Sequence, residues 1–183
     1  MAIAVANQAL QYIENHNNPR KMDAQKGEAL MIRAYHHFVL LNMFSMHYTQ
    51  TYGETDMGIP YVEEPETTVN PEHDRSTVAE TYRKIDKDIE EGLKLIDDDM
   101  YKVPKYHFNR KAALAFAARF NLYYGQYDKV IKYANEVLGS NPETVLRNMQ
   151  ELTTMLKEHS ILTEHYIKPE HNANLLLVTA TSD

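Results

Sequence analysis

The chain has 183 residues, a formal net charge of −7, 43% hydrophobic and 25% charged residues, and no cysteine. The acidic balance argues against nucleic acid and against docking on anionic lipid, both of which need a basic face. The missing cysteine excludes disulfides, thiolate metal sites and a cysteine nucleophile, while the composition is ordinary for a globular chain with its own core.

The opening stretch MAIAVANQALQYIENHN lacks the basic region of a signal peptide and soon turns polar. Ile3, Val5, Ala6, Leu10 and Ile13 recur mostly at helical spacing, which predicts an amphipathic helix over 2–14. The NHNNPR stretch ends it. From Asp23 to Phe44 there are two apolar stripes, one of Leu30, Ala34, Phe38 and Leu41 and one of Met31, Tyr35 and Val39. A helix apolar on two faces lies between neighbours. Residues 45–76 hold Gly53, Gly58, Pro60, Pro65 and Pro71 and read as a long loop. Loops beyond ~12–15 residues are usually functional or disordered.

A helix is predicted over 77–97, with Thr77 and Glu80 spaced as a capping box and Val78, Tyr82, Ile85, Ile89, Leu93 and Ile96 on one stripe. The acidic run DKDIEEGLKLIDDD is its solvated face. After a linker at 98–108, Asn109 caps a helix to Tyr124, Gly125 turns the chain, and a helix follows over 127–138. Asn141 and Pro142 suggest the start of one more helix, reaching about His159 and burying Val145, Met149, Leu152 and Leu156. Residues 160–183 are expected to be an irregular or extended tail. The sum is an all-α fold of about six helices. No apolar run reaches the roughly 18 residues that span a bilayer.

There is an internal repeat. The segment YRKIDKDIEEGL (82–93) aligns with YDKVIKYANEVL (127–138) at an offset of 45, and Leu30 and Ala34 align with Leu114 and Ala118 at an offset of 84. The difference, 39 residues, is an insertion between the two helices of the first copy and accounts for the 45–76 loop. A tetratricopeptide-like unit, about 34 residues long, wants a small residue at the helix crossing, glycine at the turn and a closing proline. Ala118, Gly125 and Pro142 meet those needs when Lys111 is taken as the first position. The expected architecture is therefore a tetratricopeptide-like solenoid with an insertion in its first repeat. Tyr82, Tyr123, Tyr127, Val130, Ala134 and Leu138 are expected at packing positions.

The stretches KGEALMIRAYHHFVLLNMFS (26–45), GIPYVEEPET (58–67), RSTVAETYRKIDKDIEEGLKLI (75–96), NRKAALAFAARFNLYYGQYDKVIKYANEVL (109–138) and NANLLLVTATS (172–182) resemble, in order, the SusD/RagB family. The resemblance implies a surface lipoprotein of Bacteroidetes that captures oligosaccharides or other nutrients and sits over a TonB-dependent (SusC-like) transporter. It implies an outer-membrane, cell-surface location through a lipid anchor outside this chain. It also implies that the chain is an internal part of a longer protein, with apolar surface exposed where missing helices pack. No sugar-contacting residue is carried over.

The residues themselves offer little chemistry. His36 and His37 point about 100° apart on a helix and cannot chelate together. His159 and His165 straddle a helix end, and His73 lies beside Asp74. No HExxH, GxSxG or phosphate-binding glycine loop is present. No catalytic residue, metal ligand or cofactor is expected. Tyr48, Tyr52 and Tyr61, in the insertion, are the aromatics freest to contact a ligand or partner; the structural alternative is that they pin the loop. The reading is a non-catalytic glycan-binding protein, with an independent tetratricopeptide adaptor as the alternative.

Overall fold

The computed structural model describes residues 1–17, 22–69, 71–155 and 159–177. Among them there are seven α-helices and no strand: α1 (Ala2–Asn15), α2 (Asp23–Phe44), α3 (Val78–Leu95), α4 (Arg110–Tyr124), α5 (Tyr127–Leu138), α6 (Met149–Met155) and α7 (His159–Ile167).

Local chemistry fixes the helix ends. Thr77 Oγ1 accepts the Glu80 N–H at 3.1 Å and starts α3. Asn109 Oδ1 accepts the Ala112 N–H at 3.0 Å and starts α4. At the end of α4, Gly125 takes φ +76, and the Gln126 N–H returns to Asn121 O at 2.9 Å. That left-handed turn disfavours any β-branched residue and reverses the chain into α5.

α1 packs on α2, α2 runs along α3, and α4 pairs with α5. One core joins α2, α3, α4 and α5, with Met31, Ala34 and Phe38 of α2, Tyr82, Ile85 and Ile89 of α3, Ala113, Ala117 and Phe120 of α4, and Tyr133 of α5. The crossing of α2 and α3 is close because two glycines meet there. A Cβ on Gly27 would lie 2.9 Å from both Gly92 O and Ile96 N. On an exposed helix, Gly→Ala gains about 1 kcal/mol of propensity. Here the sign reverses: Gly27→Ala is expected to lower stability by a net ~1–2 kcal/mol, because backbone atoms must shift. Urea unfolding checks it, and a raised midpoint would refute the close-crossing argument.

Three expectations are corrected. The single helix over 142–159 is instead a 3₁₀ turn at Pro142–Thr144, then α6, and α7 follows from His159. Asn141 makes no capping bond, whereas Asn148 Oδ1 accepts the N–H groups of Gln150 and Glu151 at 3.1 and 3.3 Å and starts α6. Leu152 is buried, Val145 half-buried and Met149 exposed; Leu156 lies outside the described residues. Second, the 160–183 tail begins inside α7, and only 168–177 is irregular, with 178–183 outside the described residues. Third, Tyr123 and Tyr127 are exposed, and the tyrosine that α5 buries is Tyr133. Its hydroxyl donates to Glu90 of α3 at 2.6 Å. A hydroxyl-to-carboxylate bond across two helices outweighs the aromatic register that the repeat alignment favours.

Candidate functional site: the pinned insertion and its groove

The insertion between α2 and α3 is ordered by three sets of bonds. First, Gly53 O and Asp56 O accept the N–H groups of Ala79 and Val78 at 2.8 and 2.9 Å. The first-turn donors of α3, which no helical carbonyl can reach, are thereby satisfied by the loop. Second, the Gly58-Ile59-Pro60 stretch lies against the start of α3. The Gly58 N–H donates to Ser76 O at 2.7 Å, Ser76 Oγ donates to Ile59 O at 3.0 Å, and Arg75 donates to Gly58 O at 2.6 Å and Phe44 O at 3.0 Å. A Cβ on Gly58 would fall 2.6 Å from Thr77 O and from Thr81 Oγ1, so only glycine fits.

The third set is a buried polar network under residues 61–64. Arg33 of α2 makes a two-pronged ion pair with Asp88 of α3, Nε to Oδ2 at 2.6 Å and Nη2 to Oδ1 at 2.8 Å. Arg33 Nη1 donates to Glu63 O at 3.1 Å and to Asn7 Oδ1 at 3.3 Å. The Asn7 amide donates to Val62 O and Glu64 O at 2.9 and 3.2 Å. Tyr61 OH donates to Asp88 at 2.6 Å; burial first, and then the Asp88 charge, push its pKa upward. His37 stacks on Tyr61 with ring centroids 3.9 Å apart. Its Nε2 accepts the Val62 N–H at 3.0 Å, so Nδ1 carries the proton and donates to Arg33 O at 2.9 Å. Burial pushes the His37 pKa down to about 4. Three helices and the loop thus share one set of fully partnered polar groups.

The network floors one end of a groove of about 680 Å³ between α1, α2, α3 and residues 63–65. Gln11, Glu14, Lys26, Lys87 and Glu91 are among its lining residues, and no aromatic side chain is. Such a groove can hydrogen-bond a polar ligand but offers no flat apolar face for a sugar ring. Among the described residues no group of three or more His, Asp or Glu is placed to hold a metal ion, and no helix is long and apolar enough to cross a membrane.

The three insertion tyrosines are placed apart. Tyr48 packs on Tyr82 and Tyr124, at 5.1 and 4.8 Å between centroids. Tyr61 is held at Asp88, further along α3. Tyr52, in the turn before Gly53, is 61% exposed. No platform gathers them. The sequence gives no role to Asn7, Arg33 and Asp88, and it raises His37 only as a metal ligand that cannot chelate with His36. A signal was present, since Arg33 and Asp88 each flank an apolar stripe, one position before Ala34 and Ile89.

Packed helices carrying a pinned insertion and a polar groove define the class: an all-helical domain whose polar side chains mainly fix its own loop. The comparisons give the family. A family model described as "Starch-binding associating with outer membrane" matches residues 1–122. The chain belongs to this SusD-like family, as the sequence resemblance implied. A SusD superfamily protein of Bacteroides thetaiotaomicron is similar at 27% identity and TM-score 0.67, over 79% of this chain and 31% of that one. One from Bacteroides vulgatus is similar at 29% identity and TM-score 0.64, over 74% and 30%. A SusD-like carbohydrate binding protein of Bacteroides vulgatus, 22% identical with TM-score 0.66 over 82% and 31%, shares the fold. No curated protein matches the chain. The chain spans about a third of the length of these solved relatives.

Proposed function

We propose that this chain is a segment of a longer, non-catalytic glycan-binding component of an outer-membrane uptake system. Within it the segment serves mainly as helical scaffold and protein-docking surface. The lipid anchor and most glycan contacts lie elsewhere in the longer protein, and the partner is a TonB-dependent, SusC-like transporter. The family match supports the glycan role. The observation that carries the scaffold role is the use of Tyr48 and Tyr61 to pin the insertion, beside a groove without an aromatic face. Stacking on aromatic rings is what sugar binding would ask of this segment, and Tyr52 alone of the three presents a largely exposed ring. Tyr52 is therefore the proposed partner contact.

Calorimetric titration tests both parts. The longer polypeptide is expected to bind soluble starch or one of a panel of oligosaccharides, and the 183-residue chain to bind weakly or not at all. Tight binding by the chain alone would overturn the scaffold reading. Tyr52→Ala in the longer polypeptide is expected to weaken transporter binding about tenfold with no change in Tm, as truncation of an exposed aromatic anchor does. Unchanged affinity would remove Tyr52 from the contact.

A further inference from the structure

The insertion is fastened in two different ways. Up to Gly58 its bonds to α3 run from backbone to backbone: Gly53 O and Asp56 O accept from Ala79 and Val78, and the Gly58 N–H donates to Ser76 O. Among the described residues, 60–65 make no backbone-to-backbone hydrogen bond. Side chains hold this strap. Asn7 of α1 donates to Val62 O and Glu64 O, Arg33 of α2 donates to Glu63 O, and Lys84 of α3 pairs with the Glu63 carboxylate at 2.9 Å. The strap in turn donates from Tyr61 OH to Asp88 and from the Val62 N–H to His37 Nε2. Neither prong of the Arg33–Asp88 pair passes through it. Residues 60–65 can therefore lift while the helices stay packed, as in a local opening.

A second proton on His37 turns its acceptor into a donor that faces the Val62 N–H. The His37 ring is 0% exposed, and the Tyr61 ring lies over it at 3.9 Å and 23° from parallel. Lifting the strap uncovers the imidazole and frees Nε2 to take the proton. The charges around the ring differ in sign. On its own helix, Arg33 and His36 oppose the proton, while Asp88 of α3 and the Arg33 carbonyl favour it. Helix α1 presents the neutral Asn7, and Glu63 of the strap is paired with Lys84. Burial outweighs the favourable groups and holds the covered ring at a pKa of about 4, against 6.5 in water. Between those values opening takes up a proton, so it becomes easier by a factor approaching about tenfold for each pH unit lowered.

We propose that residues 60–65 are a proton-released strap: protonation of His37 lifts them from the Arg33–Asp88 pair while α1, α2 and α3 stay folded, and one wall of the groove opens. Glu63, Glu64 and Pro65 line that wall. Its release frees an Arg33 N–H and the Asn7 amide to bond a ligand oxygen, so the groove gains donors in acid. The strap acts in the same way whether or not the longer protein binds glycan.

Amide hydrogen exchange followed by NMR on the 183-residue chain tests the proposal. Between about pH 7 and 4.5 the protection of the Val62 amide is expected to fall about 50-fold, while the Ile85 and Ile89 amides of α3 stay better protected at every pH. Equal opening free energies for Val62 and the two α3 amides would overturn the strap, since the opening would then be global unfolding. Val62 protection that is level with pH would overturn it as well. In His37→Gln the side-chain oxygen still accepts the Val62 N–H but takes up no proton, so Val62 protection should stay level over the same range. A fall as steep as in wild type would assign the proton to Asp88 or Glu63 and refute the role of His37. The wild-type comparison of Val62 with Ile85 and Ile89 decides between strap and global opening without the variant.

Discussion

Asp88→Ala is expected to lower the unfolding free energy by about 3–5 kcal/mol, the usual cost of removing one partner from a buried ion pair. Asp88 is 2% exposed and Arg33 8%. The substitution leaves a guanidinium in the core with two of its bonds gone, and it strips the Tyr61 hydroxyl of its acceptor. The loop over 61–64 loses its anchor at the same moment, since Arg33 also holds Glu63 O and Asn7. Removing both charges is different. A paired Arg33→Met, Asp88→Leu variant is expected to be more stable than either single variant, because no uncompensated charge remains. Urea unfolding followed by circular dichroism gives both numbers. A loss below about 1 kcal/mol for Asp88→Ala would show that the pair behaves as a solvated surface bridge. Added salt should change the result little, since buried pairs are weakly screened.

The second large effect is a pH dependence centred on His37. Its Nε2 accepts the Val62 N–H, so a second proton on the ring would turn that bond into a donor-to-donor clash. Burial is the main reason its pKa falls from 6.5 to about 4. The sign follows from proton counts. Between these two values the unfolded chain binds the proton and the folded chain does not, so unfolding is favoured as the pH drops. The contribution is fully present above pH 6.5 and is lost progressively as the pH falls toward about 4. At about 1.4 kcal/mol per pKa unit it amounts to about 3 kcal/mol. His37→Gln, which cannot take up the proton, should be less stable than wild type at about pH 7.5, and the gap should close as the pH approaches about 4.5. Parallel stability curves for the two proteins between those values would refute the assignment.

The main helices were legible because their signals are local. Thr77 and Asn109 cap the helices they were expected to cap, and Gly125 turns the chain where it was expected to. The period of apolar residues set the range of α2 and most of α3. The family was legible too, from ordered stretches that include the GIP element; Gly58 there has a steric reason, as no Cβ fits against Thr77. The segment after Gly139 was harder. Asn141-Pro142 carries the same start signal as a true helix cap, yet the helix starts after Asn148. Arg147 stacks on the Tyr166 ring at 3.7 Å and donates to Tyr166 O at 3.0 Å. A contact with a residue 19 positions away gives no periodic trace.

The candidate site divides along the same line. That a long loop with three tyrosines joins α2 to α3 follows from composition alone. Where each ring goes does not. Tyr61 is held because Asp88, Arg33 and His37, drawn from two helices, converge beneath it, whereas the turn at Tyr52 is bonded to α3 through Gly53 O and Asp56 O and leaves the Tyr52 ring 61% exposed. Side-chain period tells which face of a helix is apolar, but not which polar residue on that face finds a partner from another element. By itself the sequence determined the all-α class, the main helices, the insertion and the family, since caps, turns and apolar periodicity act within a few residues. Only the tertiary structure decided that Tyr48 packs on Tyr82 and Tyr124 and Tyr61 bonds to Asp88, that Arg33 and Asp88 bury their charges together, and that α5 keeps an apolar face open. Each of those depends on groups far apart in sequence meeting at hydrogen-bond or van der Waals distance, or failing to meet.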